Sequence, residues 1–130
     1  MVTTFRIGEA AELLGVSADT LRRWIDGGRL AAERDEHGHR AITGTDLAAF
    51  ARERAAAPDA GAGSSSARNR LRGIVTAIVK DQVMAQVDLQ VGPFRVVSLM
   101  SREAVDELGL EVGSLATAVV KSTNVVVERP

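Results

Sequence analysis

Residues 55–67 read AAAPDAGAGSSSA, a run of small and polar residues interrupted by Pro58. Such a stretch cannot bury enough apolar surface to fold on its own and is expected to act as a flexible tether. Ahead of it, apolar residues recur at helical spacing; behind it, they alternate with a period of two. A change of period across a tether splits the chain. We expect an α+β protein of two domains, 1–56 and 66–130, joined by a linker at 57–65.

What the chain lacks narrows its chemistry. With no cysteine, disulfides, thiolate metal sites and cysteine nucleophiles are excluded. His37 and His39 stand together in a polar loop, too few for a zinc site, so no metal ligands are expected. No Gly-rich phosphate loop with its Lys and no Ser/His/Asp arrangement on an elbow is present, which argues against an enzyme or a transporter ATPase subunit. Catalytic residues are accordingly none. No apolar run has the length of a membrane span and the N-terminus carries no signal segment, so a cytoplasmic location with no membrane partner is expected.

In the first half, Ile7, Ala10, Ala11 and Leu14 make one helical stripe that Gly15 ends. Ser17 can cap a second helix whose apolar stripe is Leu21, Trp24 and Ile25, stopped by Gly27-Gly28. The residues LAAERDEHGHRAI, 30–42, are expected to form a hairpin with its tip near Glu36-His37-Gly38. Thr43 or Thr45 can cap a last helix with Leu47 and Phe50 inward. The order helix, turn, TLRRW, GRL, basic hairpin, helix is similar to the winged helix-turn-helix of the MerR and excisionase-like superfamily. That resemblance implies DNA as a partner, with the second helix in the major groove and the hairpin on the backbone. By position, Ser17, Thr20, Arg22 and Arg23 face DNA from the helix, and Arg40 and Arg34 from the wing. One such small module makes few phosphate contacts, so useful affinity calls for several copies.

The second half opens with SARNRLRG, 66–73, and continues into a strand with Ile74, Thr76 and Ile78 on one face and Val75, Ala77 and Val79 on the other. Lys80-Asp81-Gln82 turns it. Val83, Ala85, Val87, Leu89 and Val91 then mark one face of a half-buried strand. After Gly92-Pro93 comes a third strand, then a helix, SREAVDELGL, with Ser101 as cap and Val105 and Leu108 inward. GSLATAVVKS and NVVVE complete a five-stranded OB-like barrel.

SARNRLRG, SREAVDELGL and ATAVVKSTNVVV, in that order, look like a molbindin, or Mop/TOBE, domain. The resemblance implies molybdate or tungstate as ligand, bound as the oxyanion at interfaces between subunits. It places Ser66, Ala67 (through its backbone), Arg68, Ser101, Lys121 and Ser122 at that site. The chemistry agrees, because an unprotonated tetrahedral dianion has acceptors only and must be wrapped in donors and positive charge. The joint expectation is a homo-oligomeric, dimer to hexamer, oxyanion-sensing DNA-binding regulator. The alternative is an intracellular molybdate buffer whose first half does not bind DNA.

Overall fold

Gly15 adopts the left-handed conformation at φ 70°, and the chain turns there as the stripe of apolar residues ends. The N–H of Val16 donates to the Ala11 carbonyl and that of Gly15 to Glu12, so the last carbonyls of the helix are satisfied. We describe the chain from a computed structural model, which covers residues 3–55 and 65–130. The tether expected at 57–65 lies outside the described residues except for Ser65. The chain divides into two units, Met1–Ala57 and Pro58–Pro130.

The first unit runs β1 (Thr4–Arg6), α1 (Ile7–Leu14), α2 (Ala18–Asp26), β2 (Glu33–Arg34), β3 (Arg40–Thr43) and α3 (Gly44–Arg54). Ala10, Ala11, Leu21, Leu30, Ile42, Leu47 and Phe50 are its buried core. Three residues separate α1 from α2, and the Ser17 hydroxyl oxygen accepts the Thr20 N–H at 3.1 Å to start α2. Thr43, not Thr45, caps α3 by accepting the Asp46 N–H at 3.2 Å. Trp24 packs inward against Phe50, ring centroids 5.2 Å apart, and the Arg54 guanidinium lies over the Trp24 ring at 4.3 Å.

β1 has no counterpart in the sequence reading. Thr4, Phe5 and Arg6 pair antiparallel with Thr43, Ile42 and Ala41, which makes β3 the centre of a sheet ordered β1-β3-β2. Three residues are too few to show a period, and only the distant β3 gives them a ladder.

The second unit comprises β4 (Asn69–Lys80), β5 (Met84–Val91), β6 (Phe94–Ser101), α4 (Arg102–Leu108) and β7 (Leu115–Val120). All pairings are antiparallel, in the order β6-β5-β4-β7. Val75, Ala85, Val87, Leu89 and Val105 form the core. On the other face of β5, the Asp88 carboxylate is held by Arg95 at 2.7 Å and by the Gln86 amide at 3.2 Å. Those hydrogen bonds, Arg95 first, keep its pKa below the ordinary 3.8.

Four expectations are corrected here. Strict alternation along β4 fails because the register shifts between Val75 and Ala77, leaving Thr76 as an extra residue. The bulge puts Val75 and Ile78, three apart, on the same core. Val83 lies before β5 and is exposed, since the Asp81 carboxylate accepts the N–H groups of both Val83 and Met84 in a tight turn. Leu108 is 67% exposed. Its place under α4 is taken by Leu110, whose N–H reaches back to the Val105 carbonyl at 3.2 Å behind the left-handed Gly109.

The fourth correction concerns the barrel. Among the described residues this unit has four strands, not five, and the sheet is open between β6 and β7. The chain leaves β7 through a single 3-10 turn, Ser122–Asn124, after which Val125 is extended and half-exposed, and Val126 and Val127 are more than four-fifths exposed.

Gly73 has no room for a side chain. A Cβ there would stand 2.9 Å from Val91 Cγ2 and closer still to the Gln90 carbonyl oxygen, which is backbone and cannot swing away. Gly73→Ala is expected to destabilise the second unit by about 1–3 kcal/mol through overpacking. In urea, the β-sheet circular dichroism should be lost earlier. The fluorescence of Trp24, the sole tryptophan, sits in the first unit and should keep its midpoint. Coincident, unshifted transitions would refute this.

Candidate functional site

The two donor-bearing motifs of the second half meet at one end of its sheet. Asn69 opens β4 and pairs with Val120, which closes β7. The Asn69 amide also donates to the Val120 carbonyl at 3.0 Å, tying the two strand ends together from a side chain. Arg68 and Lys121 follow directly outside that pair, both exposed, with Ser66 and Ser122 one or two residues further out and also exposed. The register of one antiparallel pair thus brings residues more than fifty apart in sequence to a common corner.

The corner is rich in donors. Arg68 spends one guanidinium N–H on the Ser65 carbonyl at 3.3 Å, which leaves four of its five. Among the described residues neither Arg68 nor Lys121 has a carboxylate partner, whereas Lys80, Arg95 and Arg102 of the same unit all do. Two cations and two hydroxyls without an acid among them raise the local potential for an anion.

Ser65 and Ala67 refine the expected set. Ala67 is buried, and its N–H donates to the Ser65 hydroxyl at 3.1 Å, so in this conformation that amide is occupied. The Ser65 hydroxyl keeps its own proton to donate outward. Sequence reasoning assigned Ser65 to the tether; the signal available was only its adjacency to Ser66.

Ser101 stands elsewhere. It ends β6 opposite Met84, and Met84 neighbours the Lys80 end of β4, so Ser101 lies at the far end of the sheet from Arg68. Twelve residues of β4 span roughly 35 Å. Its hydroxyl oxygen caps α4 by accepting the Ala104 N–H at 3.1 Å. No single chain brings Ser101 to the corner.

In the first unit the helix candidates share one exposed network. Ser17 donates to the Thr20 hydroxyl at 2.9 Å, and Arg23 donates to the same oxygen at 3.2 Å. Arg22 pairs with Asp19 at 2.9 Å. Both arginines are exposed and each retains spare N–H donors, while Ser17 is largely spent on its cap.

The wing residues behave differently. Arg34 and Arg40 stand directly opposite each other on β2 and β3, an arrangement that like charges disfavour. Arg40 is compensated by Asp26 of α2 at 2.8 Å, and its other terminal nitrogen is buried without a partner among the described residues. Arg34 braces the hairpin through the Gly38 carbonyl at 2.7 Å and is exposed. Asp35 accepts the N–H groups of His39 and His37, which lowers its pKa, and lies 3.9 Å from Arg6, so its charge is partly balanced.

Comparison with known proteins separates the halves again. The TOBE domain family matches residues 65–127, and the MerR family of regulatory proteins matches residues 6–42. "Molybdenum-pterin-binding protein 3" of Clostridium pasteurianum is 43% identical over 65 residues, which is 49% of this chain and 96% of that protein. A "probable molybdenum-pterin-binding protein" of Haemophilus influenzae is 46% identical over 63 residues, 48% of this chain and 91% of its own length. Among solved structures, MopII from Clostridium pasteurianum aligns with a TM-score of 0.48 at 42% identity, covering 50% of this chain and 98% of its own. The cytoplasmic molybdate-binding protein ModG aligns with a TM-score of 0.47 at 30% identity, covering 68% and 75%. No helix among the described residues is long and apolar enough to cross a membrane.

Proposed function

Since the chain belongs to the family of molybdenum-pterin-binding proteins through its TOBE half and carries a MerR-family segment ahead of it, we propose that it is a DNA-binding regulator responsive to molybdate or tungstate. The observation that carries the ligand half of this reading is the corner where β4 begins and β7 ends. Ser66, Arg68, Lys121 and Ser122 present donors there with no facing carboxylate among the described residues, and Ser65 adds a hydroxyl. A dianion with four acceptor oxygens suits that set, and a partly protonated phosphate suits it less because no carboxylate among the described residues stands there to accept from its hydroxyl.

In this reading Ser101 joins the site from a second copy, since its own strand carries it to the opposite end. The protein is then a homo-oligomer, and oxyanion bound between copies favours the associated form. Association raises the effective concentration of the DNA-reading units, each of which binds weakly alone. Arg22 and Arg23 of α2 are the groove-facing residues, with Thr20 orienting Arg23 and Arg34 reaching phosphate from the wing. Arg40 serves by fixing the hairpin to α2 through Asp26.

Calorimetric titration with molybdate, tungstate and sulfate, with light scattering on the same samples, tests both halves of the ligand claim. Saturable heat for molybdate or tungstate with a rise in subunit number is expected, and weak or no heat for sulfate. Duplexes selected from a random pool should then be held more tightly when the oxyanion is present. Binding of oxyanion with no duplex retained at any salt concentration would make the protein a buffer and sink the regulator.

A further inference from the structure

Charge is unevenly placed in the second unit. Neither residues 66–73 nor residues 115–121 contain an acid, and together they supply Arg68, Arg70, Arg72 and Lys121. The two segments meet in the ladder that joins β4 to β7. Asp81, Glu103, Asp106 and Glu107 stand in the turn after β4 or on α4. That helix is tied to the opposite end of the sheet by Lys80–Asp106 at 3.2 Å and by the Arg102 N–H on the Val83 carbonyl at 2.9 Å. The proposed oxyanion takes Arg68 and Lys121, and Arg70 and Arg72 are left over. Gly73 pairs with Ala116, which packs against the core, so Arg72 opposite Thr117 and Arg70 opposite Val119 stand on the other face of the sheet. Arg72 is exposed and has no carboxylate partner among the described residues; Arg70 is half-buried and has a partner of its own.

We propose that this arginine face of β4 is a second DNA contact, holding phosphates of the duplex that the first unit reads. The inference rests on the DNA-binding reading of α2 and goes beyond it by giving the second unit a direct part in the complex. Alternate residues of a strand stand about 6.8 Å apart, close to the separation of successive phosphates along one backbone of a duplex. Two guanidiniums on one face of β4 therefore match neighbouring phosphates, each with a planar fork of donors. Such contacts hold the backbone and carry no sequence information. Repulsion of the polyanion is small on this face. Asp88 is the only acid within the four strands, and Arg95 and Gln86 hold its carboxylate. A single reading unit binds DNA weakly, so a second contact on the same chain raises affinity without adding specificity.

The salt dependence of duplex binding by the intact chain is the test. Arg72→Ala is expected to weaken a selected duplex about 3- to 10-fold near 0.1 M salt and a scrambled duplex by the same factor. It should also flatten log K against log salt by about one unit. Thr117→Lys adds a cation opposite Arg72 and should steepen that slope by about one unit, a gain that lost stability cannot produce. Arg102→Ala removes equal charge beside Asp106, at the other end of the sheet, and should leave the slope unchanged. Subunit number by light scattering and molybdate affinity by calorimetry should not move in Arg72→Ala. An unchanged slope in Arg72→Ala, with joint loss of Arg22 and Arg23 still flattening it, would overturn the second contact and leave the DNA-binding regulator standing. Weaker duplex binding that follows a fall in subunit number would overturn it as well, because Arg72 would then act through association. No duplex retained by the unaltered chain at any salt concentration would remove both readings.

Discussion

Arg68→Ala is expected to weaken molybdate binding roughly 30- to 150-fold, which corresponds to the loss of about 2–3 kcal/mol of charge-assisted hydrogen bonding. The magnitude follows from what the side chain has to give. Arg68 is exposed, spends one N–H on Ser65, and has no carboxylate competing for the rest among the described residues. Lys121→Ala should cost a similar factor. The pair should be less than additive if both cations contact one dianion, because neither keeps its full value once the ligand has shifted toward the other. Lys80→Ala is the control: Lys80 sits at the opposite end of β4, 3.2 Å from Asp106, and its removal should leave oxyanion affinity unchanged. Calorimetry on the four proteins decides the matter. Undiminished affinity in both Arg68→Ala and Lys121→Ala, with sheet circular dichroism intact, would show that the corner is not the binding site.

Joint replacement of Arg22 and Arg23 by Ala is expected to lower duplex affinity about 10- to 100-fold near 0.1 M salt and to flatten the dependence of log K on log salt by about one unit per arginine. Each arginine holds a neighbour on its own helix turn, Asp19 or Thr20, and these contacts lie on the exposed face, away from the Leu21 core. The substitutions should therefore spare the fold, and Trp24, packed under Arg54 and against Phe50, reports on that by its fluorescence. Arg40→Ala should behave otherwise. Removing it frees Asp26 and unpins the hairpin, so stability and binding should fall together. A salt dependence unchanged by loss of Arg22 and Arg23 would mean that α2 does not face phosphate.

Local signals were legible where one residue type answers one backbone need. Gly15 and Gly109 took the left-handed conformation, Ser17 and Ser101 capped their helices, and the alternation from Ala85 to Leu89 was buried as read. The period change across residues 55–67 was the signal for two halves, and the chain divides into units at Met1–Ala57 and Pro58–Pro130. The donor character of Ser66, Arg68, Lys121 and Ser122, proposed to hold the oxyanion, was legible from residue type alone. Which of them meet was not. Arg68 and Lys121 share a corner through the Asn69–Val120 register, while Ser101 is carried to the far end by β6, and no pattern within either segment encodes that pairing.

Tertiary structure alone decided the bulge at Thr76, the packing of Leu110 against the core in place of Leu108, the short β1 and the fate of Val125–Val127. The physical reason is common to all four. Hydrophobicity and β-propensity say that a residue wants a partner, whereas register, turn direction and the neighbouring edge say which partner it gets, and those depend on atoms far away in the chain. For Val125–Val127 the sequence determined the want, three β-branched residues able to form a strand. Only the strand pairing, which gives the tail no ladder among the described residues and leaves Val126 and Val127 more than four-fifths exposed, determined that the want is unmet within one chain.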